Sequence, residues 1–212
     1  MIGDPPLMPM FMKMQGRRCL IVGAGGIALE KLRVLLDCDA RVRVIAPETL
    51  PEVEQLAIEG RIVLSRKEFV DSDLEGVAVV IAATDNPELN HRIYAQAVAR
   101  GRLVNVVDDP EFCDFYFGSI VRRGALQVAI STTGESPAFA QQLRQEIDEA
   151  LPADTGSWLA HIGELRRLIN RTVAPGPSRT SLLRQLARRE ACDPATCPCR
   201  GVVSEEAFAA GS

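Results

Sequence analysis

Apolar residues in the first half of the chain fall into short continuous runs separated by segments with helical spacing. The short runs have the length of buried parallel strands, and the segments between them repeat apolar residues every three or four positions. The predicted strands are 18–22, 41–46, 61–64, 77–83 and 103–107. The predicted helices are 25–37, 50–59 and 87–100. This alternation predicts a doubly wound α/β unit from residue 12 to about residue 110.

The pattern changes after residue 114. Two strand-like runs at 115–121 and 126–131 flank Arg122-Arg123-Gly124, which predicts a hairpin. Amphipathic helices follow at 137–151, 156–173 and 178–190. We therefore expect a Rossmann-like parallel sheet at 12–114, a small α+β segment at 115–151, a helical domain at 152–190, and a disordered tail at 191–212.

Composition and charge exclude several classes of protein. The chain has 212 residues, is 47% hydrophobic and 25% charged, and carries a net charge of −4, so it offers no basic field for nucleic acid. It has no apolar run of the roughly 20 residues that a membrane helix needs. Its first residues lack the pattern of a signal peptide. We expect a cytoplasmic protein.

The six cysteines divide into two groups. Cys19, Cys38 and Cys113 lie in or beside apolar segments and are expected to be reduced core residues. Three more, Cys192, Cys197 and Cys199, form a tail cluster without a nearby histidine. His91 and His161 stand alone, and no cluster has metal-ligand spacing, so we expect no structural metal. A metal-handling or redox role for the tail is the minor alternative.

The stretch Gly23-Ala24-Gly25-Gly26-Ile27-Ala28 follows the first strand and opens the first helix. Gly23 permits the tight turn, Gly25 leaves room for a pyrophosphate, and Ala28 lets the helix lie close to the sheet. The helix N-terminus supplies free N–H groups to the phosphates. In this context the turn predicts dinucleotide binding, the alternative being a turn kept for packing.

Two further segments end strands at the same edge of the sheet. Pro47-Glu48 follows the second strand, where Glu48 could reach a ribose hydroxyl or be an ordinary exposed carboxylate at a helix start. Arg43 could favour a 2′-phosphate, but a solvated strand residue is the preferred interpretation. The choice between NAD and NADP stays open, with a preference for NAD. Thr84, Asp85 and Asn86 follow the fourth strand and are expected near the cofactor, with helix capping an equal alternative for Asp85 and Asn86.

Asp108 ends the fifth strand at this edge and is the leading candidate for the general acid or base, where burial could tune its pKa. Its neighbour Asp109 precedes a proline and fits turn chemistry. A second hydroxyl-rich loop leads into the helix at 137 and could bind a substrate carboxylate or only cap the helix. Its candidate residues are Ser131, Thr132, Gly134 and Ser136. Additional positive charge could come from Arg122, Arg123 and Arg144.

Four segments in this order and spacing resemble one family. They are CLIVGAGGIALEKLRVLL, VVIAATDNPELN, NVVDDPEFCDF and VAISTTGESPAFAQQLRQEI. They resemble the siroheme-synthase-type precorrin-2 dehydrogenases, over residues 12 to about 170. The pairing of NVVDDP with STTGESPA is far more specific than the glycine turn.

The resemblance implies an NAD-binding Rossmann domain, a central dimerisation segment and a helical domain, assembled as a homodimer. It implies oxidation of precorrin-2, a tetrapyrrole with many carboxylates, to sirohydrochlorin, with hydride passing to NAD+. Some members also insert Fe2+ as a substrate to give siroheme, and that second activity stays open here. No methyltransferase region is recognised, so that step is expected from another protein.

By position in the family motifs, the resemblance assigns several roles. Gly26 and Ile27 match residues that contact the cofactor, and Pro47 and Glu48 match the pair after the second strand. Asp108 matches the aspartate used in both reactions. Thr132 matches a loop serine that is phosphorylated in some members.

Two features depart from the family. Relatives often carry a polar or acidic residue where this chain has Gly26, and the stretch after about Val173 has no counterpart. The alternative function is a nucleotide-sensing Rossmann module without catalysis.

Overall fold

The computed structural model describes residues 6–188, which divide into two compact units. Among the described residues, one unit contains 6–117 together with 133–135, and the other contains 118–132 and 136–188. The tail at 191–212, with Cys192, Cys197 and Cys199, lies outside the described residues.

The first unit is built on a parallel five-stranded sheet with the order β3-β2-β1-β4-β5. The strands are β1 (Arg18–Val22), β2 (Arg41–Ile45), β3 (Val63–Ser65), β4 (Val79–Ala82) and β5 (Leu103–Val106). The helices of this unit are α1 (Gly26–Asp37), α2 (Pro51–Ile58) and α3 (Pro87–Val98). The prediction of a Rossmann-like doubly wound sheet is confirmed.

The sheet is buried on both faces because alternate residues of each strand enter different cores. In β1, Cys19 and Ile21 pack with the buried side of α1, whereas Leu20 and Val22 pack in the core that includes Ile93 of α3. β4 divides in the same way. Two covered faces explain why its sequence is a continuous apolar run instead of an alternating one.

The second unit begins with an antiparallel hairpin of β6 (Ser119–Arg123) and β7 (Leu126–Ile130). Its helices are α4 (Pro137–Ala150), α5 (Thr155–Thr172) and α6 (Pro177–Leu186). α4 packs on β6, and α5 and α6 share a small core around Ile169 and Leu186.

The hairpin differs from its predicted position. The prediction began the first strand at 115 and placed Arg122 and Arg123 in the turn, but both arginines pair with β7, and the turn is Gly124-Ala125. Phe115 and Phe117 lie outside the hairpin because they pack against the core of the first unit. Their apolar character therefore reflects burial in that core and does not indicate a strand.

Candidate cofactor and active site

The carboxyl ends of the five strands border one cleft of about 1320 Å³ in the first unit. It lies at the switch point between β1 and β4, where doubly wound sheets bind ligands. The structure brings ten of the predicted site residues together along its walls: Gly23, Gly25, Gly26, Ile27, Pro47, Glu48, Thr84, Asp85, Asn86 and Asp108.

The glycine turn leaves the N-terminus of α1 open to this cleft. Gly25 is the N-cap and provides no side-chain cap, so the first N–H groups of the helix lack the partner that a capping side chain supplies. A Cβ built on Gly25 or on Gly26 would meet nothing within 4 Å. The turn therefore fits a pyrophosphate, which needs exposed backbone N–H groups and no side chain in the way.

Gly23 has a different role from Gly25 and Gly26. Its φ is +106°, and its amide donates to the carbonyl oxygen of Ile45 at 2.8 Å. This backbone conformation turns the chain from β1 into α1 and is one that residues with a Cβ rarely adopt.

Arg43 does not take the position considered for it. Its guanidinium is bound to Asp73, through the carboxylate at 3.3 Å and through the backbone carbonyl. Lys67 contacts the same carboxylate at 2.6 Å. Arg43 is therefore committed to a structural ion pair and is not held ready for a 2′-phosphate.

Asp73 is only 5% exposed. Burial opposes its ionisation, but hydrogen bonds from Lys67 and from the Val70 amide, together with the charges of Lys67 and Arg43, outweigh burial and lower the pKa of the carboxyl.

The loop after β4 is fixed by a buried amide. Asn90 accepts hydrogen bonds from the Thr84 hydroxyl at 2.7 Å and from the Thr84 amide at 3.3 Å, and donates to the Thr84 carbonyl at 2.9 Å. Asn86 caps α3 by accepting from the Leu89 amide at 3.1 Å. Capping and a place in the cleft, the two alternatives for Asn86, are both present.

Asp108 lines the cleft at the end of β5, but it is exposed, so the expected burial of this carboxyl is wrong. The chain turns away directly after β5, which leaves the side chain at the sheet edge. Asp108 has a φ of +60°, in the left-handed region. Such strained residues concentrate at functional sites.

The hydroxyl-rich loop before α4 is not among the segments that line the cleft. Within it the Thr132 hydroxyl donates to the Ser136 carbonyl at 3.2 Å and accepts from the Ser136 amide at 3.3 Å. The Ser136 hydroxyl caps α4 by accepting from the Phe139 amide at 3.2 Å. Ser131 and Gly134 belong to the same loop, and Gly134 adopts a φ of +87°.

The hairpin arginine Arg123 is engaged within the second unit. It pairs with Asp148 of α4 at 2.6 Å and also donates to the Asp148 carbonyl. It therefore serves the packing of α4 on β6 and offers no unpaired charge.

Several cleft residues were missed by the sequence analysis. The segment Lys67-Glu68-Phe69 follows β3, and Leu89 and Arg92 lie on α3. The rule that ligands bind at the carboxyl ends of parallel strands would have indicated 67–69. Lys67 and Arg92 are already paired, with Asp73 and Asp71 respectively. Binding of an anion here therefore depends on backbone N–H groups more than on side-chain charge.

Across residues 6–188 the structure shows no group of three or more histidine, cysteine or acidic side chains that could hold a metal ion. No helix in the same range is long and apolar enough to cross a membrane. Cys19, Cys38 and Cys113 are free thiols, and Cys19 is buried as expected, whereas Cys38 and Cys113 are half-buried. Burial raises the pKa of Cys19 to about 11.

The parallel sheet, the uncapped glycine turn and the cleft at its switch point define a protein of the NAD(P)-binding Rossmann class. A family model described as putative NAD(P)-binding matches residues 10–119, and the chain belongs to this family. A second model, for the central region of sirohaem biosynthesis proteins, matches residues 123–150. The resemblance to siroheme-synthase-type proteins is thereby confirmed.

Curated relatives agree with this assignment. The chain is 46% identical over 157 residues to the siroheme synthase of Ectopseudomonas mendocina, which covers 74% of this chain and 33% of that protein. It is 40% identical over 172 residues to the siroheme synthase of Methylobacillus flagellatus, which covers 81% of this chain and 37% of that protein. The chain thus spans about a third of the length of these relatives.

A solved structure of SirC, precorrin-2 dehydrogenase, has the same fold. The TM-score is 0.75 at 23% sequence identity, with 87% of this chain and 91% of that chain covered.

Proposed function

We propose that the chain is an NAD-dependent dehydrogenase that oxidises precorrin-2 to sirohydrochlorin. The observation that carries the proposal is that Asp108, whose backbone is in the left-handed region, and the open glycine turn line the same cleft. The siroheme synthases matched at 40–46% identity support this choice of substrate.

The residues of the cleft divide the work of holding NAD. The N–H groups after Gly25 would hold the pyrophosphate, and Gly26 and Ile27 in the first turn of α1 would lie beside it. Pro47 and Glu48 would hold the adenosine ribose, and Thr84, Asp85 and Asn86 also line the cleft. When bound, the nicotinamide ring supplies the hydride acceptor.

Asp108 completes the chemistry. Oxidation of precorrin-2 removes a hydride and a proton, and we assign the proton to the Asp108 carboxylate. An exposed carboxylate can accept that proton and release it to solvent.

The loop before α4 is assigned to the substrate. Ser131, Thr132, Gly134 and Ser136 belong to the loop that leads into α4, and the N-terminus of this helix provides N–H groups for a carboxylate. The Thr132 hydroxyl and Ser136 also close the loop, so we expect this loop to keep its shape when substrate binds.

We further propose that the chain works in the cytoplasm as a homodimer that uses segment 115–151 for assembly, and that it binds no nucleic acid. The net charge of −4 supports the last point. Light scattering on the purified chain tests the dimer, and a mass of about 23 kDa per particle would contradict it.

The test of the main proposal is anaerobic incubation with precorrin-2 and NAD+. NADH and the sirohydrochlorin spectrum are expected to appear together in equal amounts. A folded protein that binds NADH without turnover would contradict the proposal and favour the nucleotide-sensing module. Addition of Fe2+ to sirohydrochlorin, with and without the protein, decides whether the metal substrate is also inserted.

A further inference from the structure

His91 and Asp109 form a pair that the sequence did not indicate. His91 Nε2 of α3 lies 2.7 Å from Asp109 Oδ2, directly after β5. The imidazole stacks on the Phe112 ring, with centroids 4.0 Å apart and planes 22° from parallel. Phe112 also contacts Tyr94 edge to face. The stacked ring and the hydrogen bond together fix the Asp109 side chain against α3.

The residue before Asp109 has an unusual backbone conformation. Asp108 has a φ of +60°, in the left-handed region, which few residues with a Cβ adopt and which aspartate adopts more readily than most. The Asp109 carbonyl accepts from the Phe112 amide at 3.1 Å and from the Cys113 thiol at 3.3 Å. Asp109 is therefore held by its backbone and by its side chain.

The His91–Asp109 pair is adjacent in sequence to the proposed catalytic carboxylate but lies outside the lining of the cleft. Asp108 lines the cleft, whereas neither His91 nor Asp109 belongs to its lining. A group so placed can orient the reacting carboxylate but does not touch the cofactor.

We propose that His91 is a positioning residue: by anchoring the Asp109 carboxylate, it holds Asp108 in the left-handed conformation that directs its carboxylate into the cleft. This inference deepens the proposed dehydrogenase function and rests on it. Positioning matters because small displacements of a reacting group reduce turnover strongly.

Two variants separate the hydrogen bond from the stacking. His91→Phe keeps an aromatic ring against Phe112 and removes the donor, whereas His91→Gln restores a donor at similar reach. Asp109→Leu removes the acceptor. Arg66→Met is the matched control, because it breaks another exposed ion pair, with Glu54 at 2.8 Å, away from β5.

We expect His91→Phe and Asp109→Leu to lower kcat by about tenfold, with KM for NAD+ and NADH affinity within about twofold of wild type. His91→Gln is expected to recover kcat to within about threefold, and Arg66→Met to match wild type. The double variant His91→Phe/Asp109→Leu should lose no more kcat than either single variant, because both changes break the same contact. Melting temperatures check that each variant is folded.

If the wild-type protein is active and His91→Phe has the same kcat, the inference is wrong and the proposed function is unaffected. Absence of wild-type turnover overturns the proposed function instead. A crystal structure of His91→Phe gives a readout without activity: Asp108 is expected to leave the left-handed region. If it keeps both that conformation and its place in the cleft, the inference is wrong.

Discussion

Gly23 lies so close to Ala83 that a Cβ on the glycine would be 2.2 Å from the Ala83 carbonyl oxygen. The contact joins the end of β1 to the loop after its neighbour β4, and φ of Gly23 is +106°. Both the space and the backbone conformation therefore exclude any other residue. The first glycine of the turn is thus required by the fold itself, before any ligand binds.

We predict that Gly23→Ala destabilises the first unit by at least about 2 kcal/mol, because the chain must shift a strand end to fit the methyl group. Urea unfolding followed by circular dichroism measures the change. Gly101→Ala is a suitable control, since it has positive φ but no neighbour within 4 Å. Equal losses in the two variants would show that backbone strain alone, and not the contact with Ala83, is responsible.

We predict that Gly25→Ala weakens cofactor binding and leaves stability almost unchanged, the opposite of Gly23→Ala. The φ of Gly25 is −81°, and a Cβ there enters open space, so we expect a melting temperature close to wild type. The methyl group occupies the approach to the first N–H groups of α1, so NADH affinity should fall by about tenfold or more. NADH fluorescence titration tests this, and full affinity would remove Gly25 from the pyrophosphate site.

The sequence predicted the sheet and most of one wall of the cleft because both depend on local pattern. Short apolar runs identified the strands, and the edge rule then placed Glu48, Thr84 and Asp108 together. That rule follows from the parallel arrangement and needs no knowledge of side-chain contacts.

The parts that were missed depend on contacts between distant residues. His91 and Asp109 are 18 positions apart, and Arg43 and Asp73 are 30 apart. The local sequence pattern shows His91 only as an isolated histidine and Arg43 only as a solvated strand residue. The exposure of Asp108 was also missed, because it depends on the direction of the turn after β5.

Asp73 predicts an acid-dependent loss of stability. Its pKa is lowered in the folded protein from an ordinary value near 3.8, so the paired carboxylate contributes stability above that value. The contribution is lost as the pH falls through the lower, folded-state pKa. At neutral pH, Asp73→Asn should cost about 1–3 kcal/mol, less than a fully buried pair because Arg43 and Lys67 are partly exposed.

Urea unfolding of wild type and Asp73→Asn at a series of pH values measures this contribution. The difference between the two proteins should be constant at neutral pH and shrink as the pH falls below about 4. Glu54→Gln is the control, because it removes a carboxyl whose charged partner, Arg66, is exposed, and it should cost less at neutral pH. A difference that stays constant down to acid would mean that the Asp73 charge is not what stabilises the loop.

The role of Asp108 is best tested with asparagine. Asparagine has the same shape and also adopts the left-handed region readily, so Asp108→Asn removes the charge without disturbing the φ of +60°. Without a carboxylate to accept the proton, kcat for precorrin-2 oxidation should fall by about a hundredfold, while NADH affinity stays near wild type. Asp108→Ala should be equally slow and also less stable by about 1 kcal/mol, because alanine must carry the strain. Stopped-flow absorbance of NADH and thermal melts separate the two effects. If Asp108→Asn turns over at the wild-type rate, the proton leaves by another route, and the left-handed backbone of Asp108 would need a different explanation.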